Sequence, residues 1–131
     1  AGTIANQGKR MEPYLIDRIT DGQMNELRTT QPRQAAEAVD ENTAETIKNL
    51  MFASERSTFA YDGNGFASKT GTAEHGEGLA PHVWYVAFDP EKDIAVGVVV
   101  KDGGHLGEGA TGGQVSGPIG RAILRAYGGE Q

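Results

Sequence analysis

The hydrophobic and polar positions along this chain switch several times between helical and strand spacing. Residues 1–6 carry their apolar side chains on one helical face, and the Gln7-Gly8 pair that follows predicts the end of a helix. Loose alternation from Met11 to Thr20, a turn at Asp21-Gly22 and a second stretch at 24–29 predict a hairpin. The chain is therefore expected to begin with a short helix and a peripheral hairpin.

A longer helix is predicted after residues 31–38, which are expected to form a connector. Asp40 is a suitable N-cap, and Glu41 lies in the first turn, where an acidic side chain favours the positive end of the helix. The helix is expected to reach about Ser54. The apolar residues at helical spacing that predict its buried stripe are Ala44, Ile47, Leu50 and Met51.

Three strands are predicted in the second half of the chain, at Gly65 to Glu74, His82 to Phe88 and Ile94 to Val100. The charged turn at residues 89–93 makes the last two an antiparallel hairpin. The third strand is the most β-branched run, so it is expected to be the most buried. The second is apolar on both faces and is expected to be covered on both sides. We expect Trp84 to pack in the core rather than to form a stacking platform for substrate.

A terminal helix is predicted from Thr111 or Gly112 to Tyr127, ended by Gly128-Gly129. Its predicted sheet-facing residues are Val115, Ile119, Ala122, Ile123 and Ala126. The glycine pattern at residues 107–112 matches a dinucleotide-binding fingerprint. However, the preceding strand is antiparallel, and several residues separate it from the first glycine, so we reject dinucleotide binding. The predicted fold class is α+β, an antiparallel sheet of three strands flanked by helices.

Composition removes several classes of function. The chain has 131 residues and a net charge of -6, with scattered basic residues, which argues against nucleic acid and anionic membrane surfaces as partners. It has no cysteine, which removes disulfides, thiol catalysis and cysteine-based metal sites. No apolar run is long enough to span a bilayer, and the first residues do not have the pattern that predicts a signal peptide. No cofactor is predicted.

The run Lys69-Thr70-Gly71-Thr72 concentrates chemistry on the first of the three strands. Lys69 supplies a positive charge, Thr70 and Thr72 can hydrogen-bond a carboxylate, and Gly71 permits close approach of another backbone. Strand alternation places the two threonines on one side and Lys69 on the other. If this strand lies at a sheet edge, its free backbone groups can pair with an extended peptide.

The loop at residues 74–81 contains three candidate metal ligands, Glu74, His75 and Glu77. These groups lie among glycines, and a flexible loop does not fix the spacing that a metal ion requires. We therefore predict no metal site and expect the loop to form a rim of the substrate cleft.

The Lys69-Thr70-Gly71-Thr72 box, followed by the segment His82 to Pro90, resembles the C-terminal part of a class B penicillin-binding protein. In these serine acyltransferases the K-T-G box is the third motif, after S-x-x-K, which carries the nucleophile, and S-x-N. The resemblance implies a β-lactamase/transpeptidase-like fold and a peptidoglycan cross-linking D,D-transpeptidase. It also implies that the Thr72 N–H stabilises the oxyanion and that Lys69 faces the serine of the second motif. Thr70, Gly71 and Thr72 would bind the carboxylate end of a stem peptide or a β-lactam.

Two of the three motifs are absent, because no lysine has a serine three residues before it and no serine has an asparagine two residues after it. We therefore expect residues 1–131 to be the C-terminal portion of a transpeptidase domain, inactive alone, with the nucleophile in an N-terminal part of the same protein. By the resemblance, the protein would work at the extracytoplasmic face of the bacterial plasma membrane, anchored by an upstream segment. A catalytically silent penicillin sensor and a free-standing interaction module are alternatives, and carboxypeptidase activity stays open.

Overall fold

The structure is a computed structural model that describes residues 1–127. In chain order its elements are α1 (Gly2–Ala5), β1 (Lys9–Met11), β2 (Arg18–Thr20), β3 (Glu26–Thr29), β4 (Gln34–Glu37), α2 (Glu41–Ser57), β5 (Ala67–Ala73), β6 (His82–Asp89), β7 (Ile94–Val100), a 3-10 segment (Lys101–Gly109) and α3 (Ser116–Tyr127).

The central sheet is antiparallel with the order β5-β6-β7. Its register pairs Thr70 with Tyr85 and Val86 with Gly97, so each strand of the predicted trio is present. The α+β prediction is confirmed. The prediction that β7 is the most buried strand is wrong. Within residues 1–127 β7 pairs only with β6 and its residues alternate between half-buried and exposed, whereas β6 lies between β5 and β7.

The two faces of the sheet are covered by different helices. On one face, Tyr85 and Ala87 pack with Leu124 of α3; on the other, Phe88 and Ala67 pack with Met51 of α2. Tyr85 and Phe88 are fully buried, and burying a side chain of this size contributes roughly 1.5–3 kcal/mol relative to leaving it exposed. The sheet is thus the middle layer between α2 and α3.

The first turn caps the N-terminus of α2, and the helix runs to Ser57 rather than ending near Ser54 as predicted. The Asp40 carboxylate accepts hydrogen bonds from the Thr43 hydroxyl at 2.7 Å and from the Thr43 N–H at 2.9 Å, which confirms the predicted N-cap. The hydroxyl bond first, and then the N–H bond, lowers the pKa of Asp40. The predicted stripe is correct for Ala44 and Met51 but wrong for Leu50, which is 64% exposed. Glu55, a charged residue that the apolar pattern did not include, is buried on the helix instead.

The buried face of α3 differs from the one predicted. The residues that face inward are Ser116, Gly117, Gly120, Arg121 and Leu124. Of the predicted stripe, Val115 is buried but Ile119, Ala122, Ile123 and Ala126 are exposed. The helix also begins at Ser116, after turns at residues 112–115. Glycine is required here because a Cβ on Gly120 would lie 2.3 Å from Tyr85 Cδ1. The predicted stop at Gly128-Gly129 lies outside the described residues.

The N-terminal third forms two small sheets at the periphery. Strands β2 and β3 pair in the predicted hairpin, although β2 covers only Arg18–Thr20. The predicted connector at 31–38 is wrong, since it contains β4, which pairs with β1. The pairing of β1 with β4 joins residues far apart in sequence. Both strands are largely exposed, so no local apolar pattern predicts the pairing. Across residues 1–127, no helix combines the length and apolarity needed to cross a bilayer.

Candidate functional site

The strand β5 that carries Lys69 lies at an edge of the central sheet, which is the condition for pairing with an extended peptide. Among residues 1–127 it pairs only with β6, so its outer edge presents backbone N–H and C=O groups. The strand emerges from the core: Ala67 and Ser68 are fully buried, whereas Lys69 and Thr72 are exposed. The polar box is therefore accessible at the point where the sheet edge opens.

The register assigns the side chains of the box to two faces. Thr70 and Thr72 pair with Tyr85 and Val83, on the face covered by α3. Lys69 pairs with Val86 on the opposite face, so the predicted separation of the threonines from the lysine is confirmed. The Lys69 ammonium donates a hydrogen bond to the carbonyl of Thr70 at 2.6 Å.

Gly112 holds the backbone of the box closely from the α3 side. A Cβ on Gly112 would lie 2.3 Å from the Trp84 carbonyl oxygen and 2.9 Å from that of Gly71, distances that no real side chain tolerates. A Cβ on Gly71 would only make an ordinary 3.5 Å contact with Trp84. Close backbone approach was predicted at Gly71. Within the described residues, it is Gly112 that must lack a side chain for the two backbones to come this close. In the sequence Gly112 stands out only as the last glycine of the rejected dinucleotide-binding pattern.

A buried ionic network fixes the residue immediately before Lys69. The Glu55 carboxylate, on α2, accepts hydrogen bonds from Arg121 Nε at 2.6 Å, Tyr85 OH at 3.0 Å and Asn64 Nδ2 at 2.9 Å, and one from the Ser68 hydroxyl. Arg121 also donates to the carbonyls of the loop after α2. The network thereby connects α2, α3, β5 and β6 at the base of the box.

The charge on Glu55 survives burial because of these donors. Removal from water is the largest influence and by itself raises the pKa of Glu55, but the hydrogen bonds from Arg121, Ser68, Asn64 and Tyr85 together outweigh it and leave the pKa below its ordinary value. Burial, followed by the nearby Glu55 charge, raises the pKa of Tyr85. A neutral tyrosine therefore donates to an ionised carboxylate inside the protein.

Trp84 lies beside the box rather than in the core. It pairs with Gly71 across β5 and β6 and is 43% exposed, so the prediction of core packing is wrong. Because Gly71 has no side chain, one side of the indole stays open next to the strand. The position suits an aromatic contact to a ligand lying along β5.

A groove lies at the end of the box, where β5 meets the loop 74–81. Residues from both sides line it, among them Thr72, Glu74, Leu79, Glu108 and Thr111. A larger cleft between α1, β1 and the β6–β7 turn contains none of the four residues of the box. We assign the functional site to the groove because it adjoins the polar box, whereas the larger cleft does not.

Three serines of the described chain, Ser57, Ser68 and Ser116, donate hydrogen bonds from their hydroxyls within the fold. Ser68 and Ser116 are fully buried, where Ser68 donates to Glu55 and Ser116 donates to the Val83 carbonyl. Ser57 donates to the carbonyl of Ser54 within α2. The predicted catalytic and binding residues Lys69, Thr70, Gly71 and Thr72 lie together on β5. No serine of the chain stands three residues before a lysine, as the S-x-x-K motif requires.

Comparison with known proteins identifies the family. The sequence model described as "Transpeptidase: Penicillin binding protein transpeptidase domain" matches residues 1–125. The chain belongs to the penicillin-binding protein transpeptidase domain family. It is 45% identical to the peptidoglycan D,D-transpeptidase PbpA of Mycolicibacterium smegmatis, over 96% of this chain but 27% of the relative. It is 40% identical to PbpA of Mycobacterium tuberculosis with the same coverage. The chain thus spans about a quarter of the length of these relatives.

Solved structures of this transpeptidase family share the fold. The ceftriaxone acyl-enzyme complex of penicillin-binding protein A from M. tuberculosis superposes with a TM-score of 0.87 at 39% identity, covering 95% of this chain and 29% of that one. The penicillin G acyl-enzyme complex of the same protein has a TM-score of 0.81 at 38% identity, covering 95% and 29%. The transpeptidase-like fold predicted from the K-T-G box is therefore confirmed.

Proposed function

We propose that this chain forms one wall of the acyl-binding cleft of a peptidoglycan cross-linking D,D-transpeptidase. The observation that carries the proposal is the accessible edge strand with Lys69, Thr70, Gly71 and Thr72, in a chain whose family match covers residues 1–125. The related penicillin-binding protein A forms acyl-enzymes with β-lactams. We infer that the same strand contacts β-lactams and peptidoglycan stem peptides here.

The roles of the box follow from the charges that acyl transfer creates. Attack of a serine hydroxyl on an acyl carbon forms a tetrahedral oxyanion, which needs fixed N–H donors. We assign one donor to the backbone N–H of Thr72. The hydroxyls of Thr70 and Thr72 bind the terminal carboxylate of the substrate, with Gly71 between them leaving the strand unobstructed. Lys69 keeps the site electropositive and stabilises the ionised groups that form during transfer.

The nucleophile in this proposal belongs to a part of the protein outside residues 1–131. This chain then supplies binding and electrostatic stabilisation, and it has no acylation activity alone. The buried, hydrogen-bonded state of Ser68 and Ser116 supports this division of labour. A partner polypeptide that contains S-x-x-K, either continuous with this chain or separate from it, completes the site.

Labelling with fluorescent penicillin tests the proposal. The intact protein that contains this chain should become covalently labelled at a serine, whereas the isolated chain should not. Labelling of the isolated chain would show that the nucleophile lies within it. Binding of stem peptide without acylation of the intact protein would instead support the catalytically silent sensor.

The proposed substrate also sets a place of action. Peptidoglycan is assembled outside the plasma membrane, so we propose the extracytoplasmic face as the location, with any membrane anchor outside this chain. Protease added to spheroplasts should degrade the intact protein. Complete protection in spheroplasts, with degradation after detergent lysis, would contradict this location.

A further inference from the structure

Three potential metal ligands converge beside the groove from separate parts of the chain. His75 lies in the loop after β5, His82 begins β6, and Asp102 lies in the 3-10 segment. One ligand atom from each lies within 4.8 Å of the other two. The distance to Asp102 Oδ1 is 3.3 Å from His75 Nε2 and 3.5 Å from His82 Nδ1. In the sequence His75 stands only among its loop neighbours, and no local pattern indicates that His82 and Asp102 lie close to it.

The local backbone holds these groups together. Asp102 has a φ of 52°, a left-handed conformation that non-glycine residues rarely adopt. In this conformation its N–H donates to His82 Nδ1 at 3.1 Å, while Gly103 N–H donates to the Pro81 carbonyl at 2.7 Å. The imidazole rings of His75 and His82 lie with their centroids 4.0 Å apart. The segment is thus tied to the start of β6 before any ion binds.

We propose that His75, His82 and Asp102 form a binding site for a divalent transition-metal ion such as Zn²⁺. Zinc bonds of about 2.0–2.2 Å in tetrahedral geometry separate neighbouring ligand atoms by about 3.3–3.5 Å, which agrees with both distances to Asp102 in the structure. Two imidazoles and one carboxylate suit zinc, whereas calcium and magnesium prefer oxygen ligands. A water molecule takes the fourth position.

Metal binding at this site exchanges one existing interaction. The Nδ1 lone pair of His82 accepts the Asp102 N–H, so an ion that uses this nitrogen displaces that hydrogen bond. The affinity should therefore be lower than that of a fully closed structural zinc site, which has four protein ligands. The bound ion would also connect His75 to His82 and Asp102, the two residues that the structure already places in contact.

Metal binding at this site would connect two segments that line the groove. The loop 74–81 contributes Glu74 and Leu79 to the groove, and the 3-10 segment contributes Glu108. A metal ion bound by His75 and Asp102 joins these two walls and restricts their separation. The site thus sets the width of the groove at the end of β5, and its existence does not depend on the proposed acyl-transfer function.

Zinc titration of the intact protein, after removal of metals with a chelator, tests the site by calorimetry. His75→Ala and Asp102→Asn each remove one ligand from exposed positions and should weaken binding at least about tenfold, the scale of losing a metal-site interaction. His105→Ala is the matched control, since it removes the remaining histidine of the chain, from the same segment but outside the cluster. Circular dichroism checks that each variant is folded.

The expected result is one saturable site in the wild type and in His105→Ala, weakened in the two ligand variants. If the intact protein has zinc sites elsewhere, the measured stoichiometry should fall by one in these variants. The proposal is overturned if the wild type shows no saturable zinc binding. It is also overturned if folded His75→Ala and Asp102→Asn proteins bind zinc as the wild type does.

Discussion

Arg121 Nε lies 2.6 Å from the Glu55 carboxylate, and the two side chains are only 3% and 1% exposed. This buried ion pair connects the two helices that cover opposite faces of the sheet. Because the same carboxylate accepts the Ser68 hydroxyl, the pair also fixes the strand one residue before Lys69. The position of the polar box therefore depends on charges far from solvent.

Arg121→Ala should destabilise the intact protein by about 3–5 kcal/mol, since it leaves Glu55 charged and unpaired in the interior. Arg125→Ala, on the same helix, is the matched control because its partner Asp62 and Arg125 itself are 41% and 49% exposed. An exposed pair contributes about 1 kcal/mol or less. Urea denaturation measures both values, and equal losses in the two variants would contradict the importance of the buried pair.

The network also predicts a dependence of stability on acid. The pKa of Glu55 is below its ordinary value of about 4.3 in the folded state, so the folded protein binds fewer protons between the two values. The contribution of Glu55 is complete above about pH 4.3 and is lost as the pH falls through the lower, folded pKa. Unfolding free energies measured across this range should decrease less steeply for Glu55→Gln. An unchanged slope would assign the acid sensitivity to other groups.

Gly112→Ala should displace the box, because the added Cβ would meet the carbonyl oxygens of Trp84 and Gly71. We expect a loss of about 1–3 kcal/mol, as for other overpacked sites, together with slower acylation by penicillin. Gly109→Ala is the control, since a Cβ there meets nothing within 4 Å. Wild-type stability and acylation in Gly112→Ala would show that β5 does not require this close approach.

Lys69→Ala should slow acylation of the intact protein by at least about tenfold, the scale of one charge-assisted contact. Its stability should change little, because Lys69 is exposed and its hydrogen bond goes to the neighbouring Thr70 carbonyl. Lys92→Ala, in the turn between β6 and β7, serves as the control for loss of a lysine. Equal acylation rates in wild type and Lys69→Ala would remove this residue from the mechanism.

Local signals in the sequence predicted much of the fold. The Asp40 cap and the β-branched run from Ile94 to Val100 each specify their own element, and the structure has both. The box Lys69 to Thr72 was found because its chemistry is contained in four consecutive residues. These features require no knowledge of distant contacts.

The errors have a common physical origin in long-range contacts. The buried face of α3 contains Gly120, which admits the Tyr85 ring, and Arg121, which meets Glu55, so hydrophobicity alone selects the wrong face. The same charge pairing explains why the apolar pattern of α2 predicts Leu50, and not Glu55, as a buried residue. The sequence shows one Glu and one Arg on two predicted helices, but it does not reveal that the two side chains are buried and paired with each other.

A crystal structure of the intact protein acylated by penicillin would show whether β5 forms a wall of the acyl-binding cleft. We predict that the antibiotic lies along β5, with its carboxylate within about 3.2 Å of the hydroxyls of Thr70 or Thr72 and its acyl oxygen accepting the Thr72 N–H. The acylated serine should belong to a part of the protein outside residues 1–131. An antibiotic bound away from β5, or attached to a serine of this chain, would contradict the account.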